Sequence, residues 1–192
     1  MFRLLVLFLP YLLCIVDLKN LYKKHAVSSE LPEASKIGLK ILQKGGNSVD
    51  AAIATCLAVG VVNAFSSGLG GGGFMLIKKR GLNEKAIMID FREKAPINFK
   101  IDAIINDRVK SKKGGLAVAI PCEIKGLWHA HKKFGKLPWK ELFVDSIHLC
   151  EGFKVTKELA KRIKKFENEI LQDPGLKETY SENGLIKKKE IL

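Results

Sequence analysis

Ser66-Ser67-Gly68-Leu69-Gly70-Gly71-Gly72-Gly73-Phe74-Met75 is the stretch on which this chain's fold turns, since five of the nine residues from Ser66 to Phe74 are glycine. Glycine has no Cβ, so the run favours neither helix nor strand and lets backbone pass close to backbone. Gly68, Gly70 and Gly73 satisfy G-x-G-x-x-G, the spacing of dinucleotide-binding turns. In those turns a strand leads in and a helix leads out, its N-terminus holding the pyrophosphate. Here the order is reversed: an apolar helical stretch precedes the glycines and a strand-like Phe-Met-Leu-Ile-Lys, Phe74 to Lys78, follows them. No Lys-Ser/Thr pair trails the run, which excludes a P-loop. The glycines read instead as a tight backbone junction near a crowded centre.

Upstream, Ser29 reads as the N-cap of a first helix, with Pro32 in its first turn and Glu30 and Glu33 beside the positive end of its dipole. Ala34, Ile37, Leu39, Ile41 and Leu42 form its apolar stripe, and Gly45-Gly46 stops it. Asn47 or Ser48 then caps a second helix, Val49 to about Val62, whose one charged residue is Asp50. So apolar a helix is expected to be buried on all sides. Downstream, Phe74–Lys78 and Ala86–Phe91 read as a β-hairpin, and Pro96 ends the segment Arg92-Glu93-Lys94-Ala95-Pro96 that leaves it. Leu116–Ile120 reads as a short buried strand, Glu123–Phe134, Pro138–Leu149 and Val155–Leu171 as helices, and Asp173-Pro174-Gly175 as a turn.

The chain has 192 residues, 47% of them hydrophobic, enough for one ordinary domain and too apolar for a disordered tail. Its net charge of +13 would favour nucleic acid if the lysines clustered. They do not: residues 1–24 hold four basic residues against one acidic, 25–100 ten against six, and 101–192 nineteen against thirteen. A solvated lysine-rich surface, with no nucleic-acid partner, is the expectation. Residues Leu4 to Val16 form an uncharged apolar run behind Arg3, the length of a signal-peptide core and short for a membrane span of roughly 20 residues. Residues 1–24 are therefore expected to be a signal peptide or signal-anchor with a short basic linker, directing the protein into the secretory pathway. Cleavage would remove Cys14 and leave Cys56, Cys122 and Cys150, an odd number, and their spacing matches no zinc motif. No metal and no cofactor is expected. No G-x-S-x-G, H-E-x-x-H or calcium-loop pattern occurs, so the residues present name no nucleophile.

Arg92-Glu93 stands out as a charged pair at the end of an apolar strand. The planar guanidinium suits a carboxylate in bidentate fashion. The partner is either a ligand or a neighbour in the chain, Glu93 or Asp90.

Taken together, Ala26-Val27-Ser28-Ser29, Gly45-Gly46-Asn47-Ser48-Val49-Asp50-Ala51-Ala52, the glycine run from Ser66 to Met75, and Asp90 to Pro96 resemble the γ-glutamyltransferases (glutathione hydrolases). Pro121-Cys122-Glu123, Gly126 and Phe134-Gly135-Lys136-Leu137-Pro138-Trp139 resemble the same family in the same order. The resemblance implies an α/β (α+β) N-terminal nucleophile hydrolase, a four-layer αββα sandwich made as one precursor that cuts itself. It implies that residues 25–192 are the N-terminal portion of the large subunit, so that the fold is incomplete here and the nucleophilic threonine lies outside the chain. The implied reaction is γ-glutamyl transfer from glutathione or other γ-glutamyl compounds to water, amino acids or peptides. Arg92 would grip the donor's α-carboxylate, with Glu93 as its orienting neighbour. The missing small-subunit region would be the partner, and the apolar start a possible membrane attachment. Lys94 and Cys122 depart from the family pattern, which commonly has a small hydroxyl residue and a glycine there. The alternative expectation is a truncated paralogue, binding or inert; in either case the 192 residues alone are expected to be inactive.

Overall fold

The structure is a computed structural model that describes residues 24–81, 83–107, 109–182 and 185–186. The proposed signal segment lies, but for Lys24, outside the described residues. Among those described, no helix is long and apolar enough to cross a membrane.

Helix α1, Pro32–Gln43, begins two residues later than expected. Its N-cap is Leu31 in an extended conformation, because the residue before a proline is driven out of the helical region and Pro32 needs no amide partner. Ser29 sits too early to cap; its hydroxyl accepts from the Leu31 amide at 3.3 Å and pairs with the Ser35 hydroxyl at 2.8 Å. Gly45, at φ +92°, closes the helix: the Gly46 amide reaches the Ile41 carbonyl at 3.0 Å and the Gly45 amide the Leu42 carbonyl at 3.1 Å. This pair of bonds is the Schellman closure that an αL glycine permits.

Helix α2, Ser48–Val62, starts on a capping box. The Asn47 side chain accepts from the Val49 and Asp50 amides, and the Asp50 carboxylate accepts from the Asn47 amide. Ile53, Ala54 and Ala58 have no exposed surface. The helix packs on α1 and, beyond the single turn α3 (Asp102–Ile105), on two later helices, α4 (Glu123–Phe134) and α5 (Val144–Glu151). It is not, however, covered all round: Ala52 is exposed, and Cys56, Gly60 and Val61 are only partly covered. Ala52, Cys56 and Gly60 lie along one stripe at helical spacing, which Gly68 approaches at Gly60 and Glu123 of α4 meets at Cys56.

Strands β1, Phe74–Ile77, and β2, Ile87–Asp90, form the expected antiparallel hairpin, with Phe74 opposite Asp90 and Ile77 opposite Ile87. Met75, Ile77 and Ile89 pack into the core while Phe74, Leu76 and Met88 point outward, the alternation a half-buried strand requires. One further pair of bonds, Phe91 to Gly73 at 3.0 Å and Gly73 to Phe91 at 3.3 Å, carries the ladder into the glycine run. Arg92 thereby comes to lie beside Gly72.

Four expectations are corrected. Leu116–Ile120 is not a buried strand: Gly115–Ala117 forms a 3₁₀ turn, and Leu116, Val118 and Ile120 are exposed. Gly114, at φ +80°, swings the chain away, and only Ile120 finds a partner, bridging Lys94. Pro138–Leu149 is not one helix but a 3₁₀ turn, Trp139–Leu142, followed by α5. The break lets Trp139 meet Trp128 and Phe143 edge-on at 5.2 and 4.8 Å between ring centroids. Val155–Leu171 splits at Phe166 into α6, Lys157–Lys165, and α7, Glu167–Gln172, which brings Leu159, Ile163 and Ile170 with Val155 into a second small cluster. Asp173-Pro174-Gly175 opens a helix instead of a turn: Asp173 accepts from the Leu176 amide, Pro174 takes the first position, and α8 runs Pro174–Tyr180. A second pair of short strands, β3 (Ser181–Glu182) and β4 (Leu185–Ile186), completes the described residues. Helices on two-stranded sheets make an incomplete α/β arrangement; the described residues do not by themselves form four layers.

Candidate substrate-binding cleft

The glycine run, the segment leaving β2 and the start of α4 meet at one place, and the reason is steric. A Cβ on Gly72 would lie 2.3 Å from the Phe91 carbonyl oxygen and 2.9 Å from the Glu93 amide nitrogen, so only glycine lets these two backbones touch. A Cβ on Gly126 would lie 2.1 Å from Cγ of Phe91, so the Phe91 ring rests on the bare face of α4. From the other side the Gly71 carbonyl accepts from the amides of Cys122 and Glu123 at 2.9 and 3.0 Å. The N-terminus of α4 is thus pinned to the glycines.

These contacts frame a cleft of about 380 Å³ whose wall includes Ser66, Gly71, Gly72, Arg92, Glu93 and Glu123. Arg92 carries the exposed positive charge: its side chain is 59% exposed, and its Nη1 meets Glu93 Oε2 at 2.5 Å. The Asp90 carboxylate accepts from the Arg92 amide at 2.9 Å, fixing the backbone from which the side chain springs. Both neighbours weighed from the sequence therefore hold Arg92, one at its amide and one at its fork. A single Nη1 contact leaves donors of the guanidinium open to a ligand. Glu93, 21% exposed, is the residue that meets the Arg92 guanidinium.

Glu123 was not singled out from the sequence as a site residue, although it stands in the first turn of α4 within a quoted family block. It is buried, at 5% exposure, yet lines the cleft, and Cys56 Sγ donates to its Oε1 at 3.0 Å. Burial in a desolvating wall, and then the Glu123 carboxylate, push the Cys56 thiol up to about 12. Cys56 is therefore a neutral hydrogen-bond donor. The backbone accommodates both departures from the family pattern. Cys122 has φ −127° and ψ −2°, open to any residue, and Lys94 is exposed and joined by its backbone to Ile120. Among the described residues no group of three or more His, Cys, Asp or Glu is placed to hold a metal ion. Behind the shared wall of Gly68 and Glu123 lies a second, apolar cavity of about 310 Å³ between α2 and α5.

Comparison with known proteins agrees with this geometry. The fold is that of the γ-glutamyltranspeptidases and related N-terminal nucleophile hydrolases: the Helicobacter pylori γ-glutamyltranspeptidase superposes with a TM-score of 0.81 at 29% identity, over 88% of this chain and 50% of that one. The Bacillus anthracis transpeptidase CapD superposes with a TM-score of 0.74 at 31% identity, over 89% of this chain and 55% of that one. In sequence, glutathione hydrolase 3 of Arabidopsis thaliana is 42% identical over 84% of this chain and 25% of its own length. Glutathione hydrolase proenzyme 1 of Schizosaccharomyces pombe is 47% identical over 76% of this chain and 23% of its own. The γ-glutamyltranspeptidase family model matches residues 34–192, and the chain belongs to that family. It spans about a quarter of the length of these two relatives.

Proposed function

We propose that the protein carrying this chain transfers the γ-glutamyl group of glutathione and other γ-glutamyl compounds to water, amino acids or peptides, and that Arg92 grips the donor's α-carboxylate. One observation carries the assignment of Arg92: an exposed guanidinium with open donors stands on a rigid strand end at the mouth of a cleft floored by glycine backbone. Family membership supports the rest. In this reading a threonine outside these 192 residues attacks the γ-carbonyl carbon, and the amide C–N bond breaks as the amine leaves with a proton. The γ-glutamyl ester that remains passes to water or to an acceptor amine. Arg92 contributes positioning: by fixing the carboxylate it sets where the γ-carbonyl, at the other end of a short chain, comes to rest. The charge-assisted bond is worth roughly 1.5–3 kcal/mol, so Arg92→Ala in the whole protein is expected to lower kcat/KM for a γ-glutamyl anilide by about 10- to 150-fold, mainly through KM. An unchanged KM would remove Arg92 from the site. The 192 residues alone, supplying no nucleophile in this reading, are expected to release no anilide product. The secretory route inferred from Leu4 to Val16, with the body of the protein outside the plasma membrane or secreted, belongs to the same proposal; N-terminal sequencing of the mature protein tests whether the apolar run is removed.

A further inference from the structure

We propose that Arg162 of α6, stacked on Phe65 at the rim of the cleft, binds a carboxylate on the donor's leaving group, so that the protein prefers γ-glutamyl peptides with a free C-terminal carboxylate over donors that lack one. This rests on the function proposed above and deepens it.

Phe65 lines the cleft just beyond the end of α2, in a turn that is held tightly. Asn63 is buried; its amide reaches the Val59 carbonyl at 2.7 Å, and its side chain donates to Glu30 Oε1 at 2.8 Å. The amides of Ser66 and Ser67 return to the Asn63 carbonyl at 2.9 and 3.2 Å. The Phe65 ring is thereby fixed in the cleft wall and left partly open, and the guanidinium carbon of Arg162 lies 5.1 Å from its centroid. That is a cation–π contact. Arg162 Nε also donates to Glu158 Oε1 at 2.7 Å, one helical turn back, while Leu159 and Ile163 seat α6 in its own small core. The guanidinium is held by helix, ion pair and ring together. Among the described residues no hydrogen-bond partner takes its two terminal nitrogens, and its side chain is 43% exposed.

The residue type adds to the geometry. Arginine is scarce in this chain, five of 33 basic residues, so a cation needed only for solubility is ordinarily lysine here. Of the three arginines described, Arg80 lies in the hairpin connection, whereas Arg92 lines the cleft and Arg162 stacks on its wall. A planar fork with open donors, pre-organised on a ring, suits a carboxylate in a way that a flexible ammonium does not. With Arg92 assigned to one carboxylate, a second fork at the rim suits a donor carrying another a short peptide's length away. Glutathione has this form, with one carboxylate on its γ-glutamyl residue and one on its glycine. The surrounding charge agrees: α6, Lys157–Lys165, has five basic residues against Glu158 alone, a field that draws an anion in. The two acids of the cleft wall oppose it little, since Glu93 is met by Arg92 and Glu123 is buried against the Cys56 thiol.

The experiment measures hydrolysis, with no acceptor added, of three donors on the whole protein: glutathione, glutathione with its glycine carboxylate converted to the amide, and L-γ-glutamyl anilide. Wild type is compared with Arg162→Gln, Arg162→Lys and Arg92→Ala. At low salt the wild type should favour glutathione over its amide by about three- to fivefold in kcat/KM, mainly through KM, as expected for a partly exposed ion pair. Raising the salt to about 0.5 M should shrink that preference by screening. Arg162→Gln should abolish it, bringing the KM for glutathione to that of the amide and changing the amide and the anilide by less than about twofold. Arg162→Lys, which keeps the charge and loses the fork, should retain part of it. Arg92→Ala should weaken all three donors. A wild type that does not distinguish glutathione from its amide, a preference that survives in Arg162→Gln, or an equal loss on all three donors in that variant would overturn the assignment; the last would give Arg162 a structural role through Phe65. A wild type that hydrolyses none of the three overturns the γ-glutamyl reading itself, a result separate from one that hydrolyses all three alike.

Discussion

A single hydrogen atom in place of a methyl group decides where Arg92 stands. Gly126 leaves room on α4 for the Phe91 ring, and Gly72 leaves room for the backbone on either side of Arg92. Gly126→Ala would drive a Cβ into Phe91, and overpacking of this kind costs roughly 1–3 kcal/mol. Urea denaturation of the whole protein should show that loss, and KM for the γ-glutamyl donor should rise with it, because the displaced residue is Arg92's immediate neighbour. Cys56 gives a second residue-scale prediction. With its thiol held up to about 12 against an ordinary value of 9.0, the thiolate fraction at pH 8 is about a thousandfold below that of an unperturbed cysteine. Iodoacetamide should label exposed Cys150 and leave Cys56 unmodified in the folded protein. The sign of the pH dependence follows: below pH 9 the thiol is protonated both folded and unfolded, and its contribution to stability is fully present. Between pH 9 and about 12 the unfolded chain loses this proton first, so stability falls as pH rises. Cys56→Ser should remove that part of the alkaline loss.

At the scale of elements, the N-terminus of α2 is the joint that holds distant chain together. Fully buried Asp50 accepts from the Asn47 amide within its capping box and from the amides of Lys136 and Leu137 after α4. The Asn47 side chain meets the Phe134 carbonyl at the same corner. Loss of a cap alone costs about 1 kcal/mol, whereas removing Asp50 would strand buried amides from two segments. Asp50→Ala should therefore destabilise the protein by about 3 kcal/mol or more, and Asn47→Ala by less, as measured by denaturant midpoint at constant slope. The cap could be read from the sequence as Asn47 or Ser48; the structure selects Asn47, with Asp50 closing the box. The bond to Lys136 and Leu137 could not, since a separation of 86 residues leaves no local pattern. The misread elements share one cause: Leu116–Ile120 has the composition of a buried strand, but composition does not supply a neighbouring strand to pair with. Likewise the apolar spacing in Pro138–Leu149 and Val155–Leu171 cannot show the breaks that aromatic packing and a second cluster impose.

At the scale of the whole molecule, the hairpin leaves Phe74, Leu76 and Met88 exposed on one face, at 58, 72 and 62%, and α2 leaves Ala52 exposed. Apolar surface so grouped on a two-stranded sheet invites association. The 192 residues expressed alone should self-associate, and added salt should strengthen the effect by screening the mutual repulsion of a chain with net charge +13. Light scattering at two ionic strengths checks this; a monodisperse chain with a cooperative melt would contradict it.

The sequence by itself determined the elements with local causes. Glycines end α1, an Asx box starts α2, alternation makes the hairpin, and a charged pair follows an apolar strand. The glycine run could also be read as a junction, because the order of elements around it excluded a nucleotide turn. Only the tertiary structure decided what that junction joins. Arg92 was visible as an unusual charge, but its relation to Glu123, thirty-one positions later, depends on Gly71 receiving the amides of α4 and Gly126 receiving Phe91. Glu123 carries no mark of its own along the chain, because a helix N-terminus favours acidic residues whether or not they face a cleft. Burial on a cleft wall is a property of the assembled fold, and no spacing along the chain encodes it.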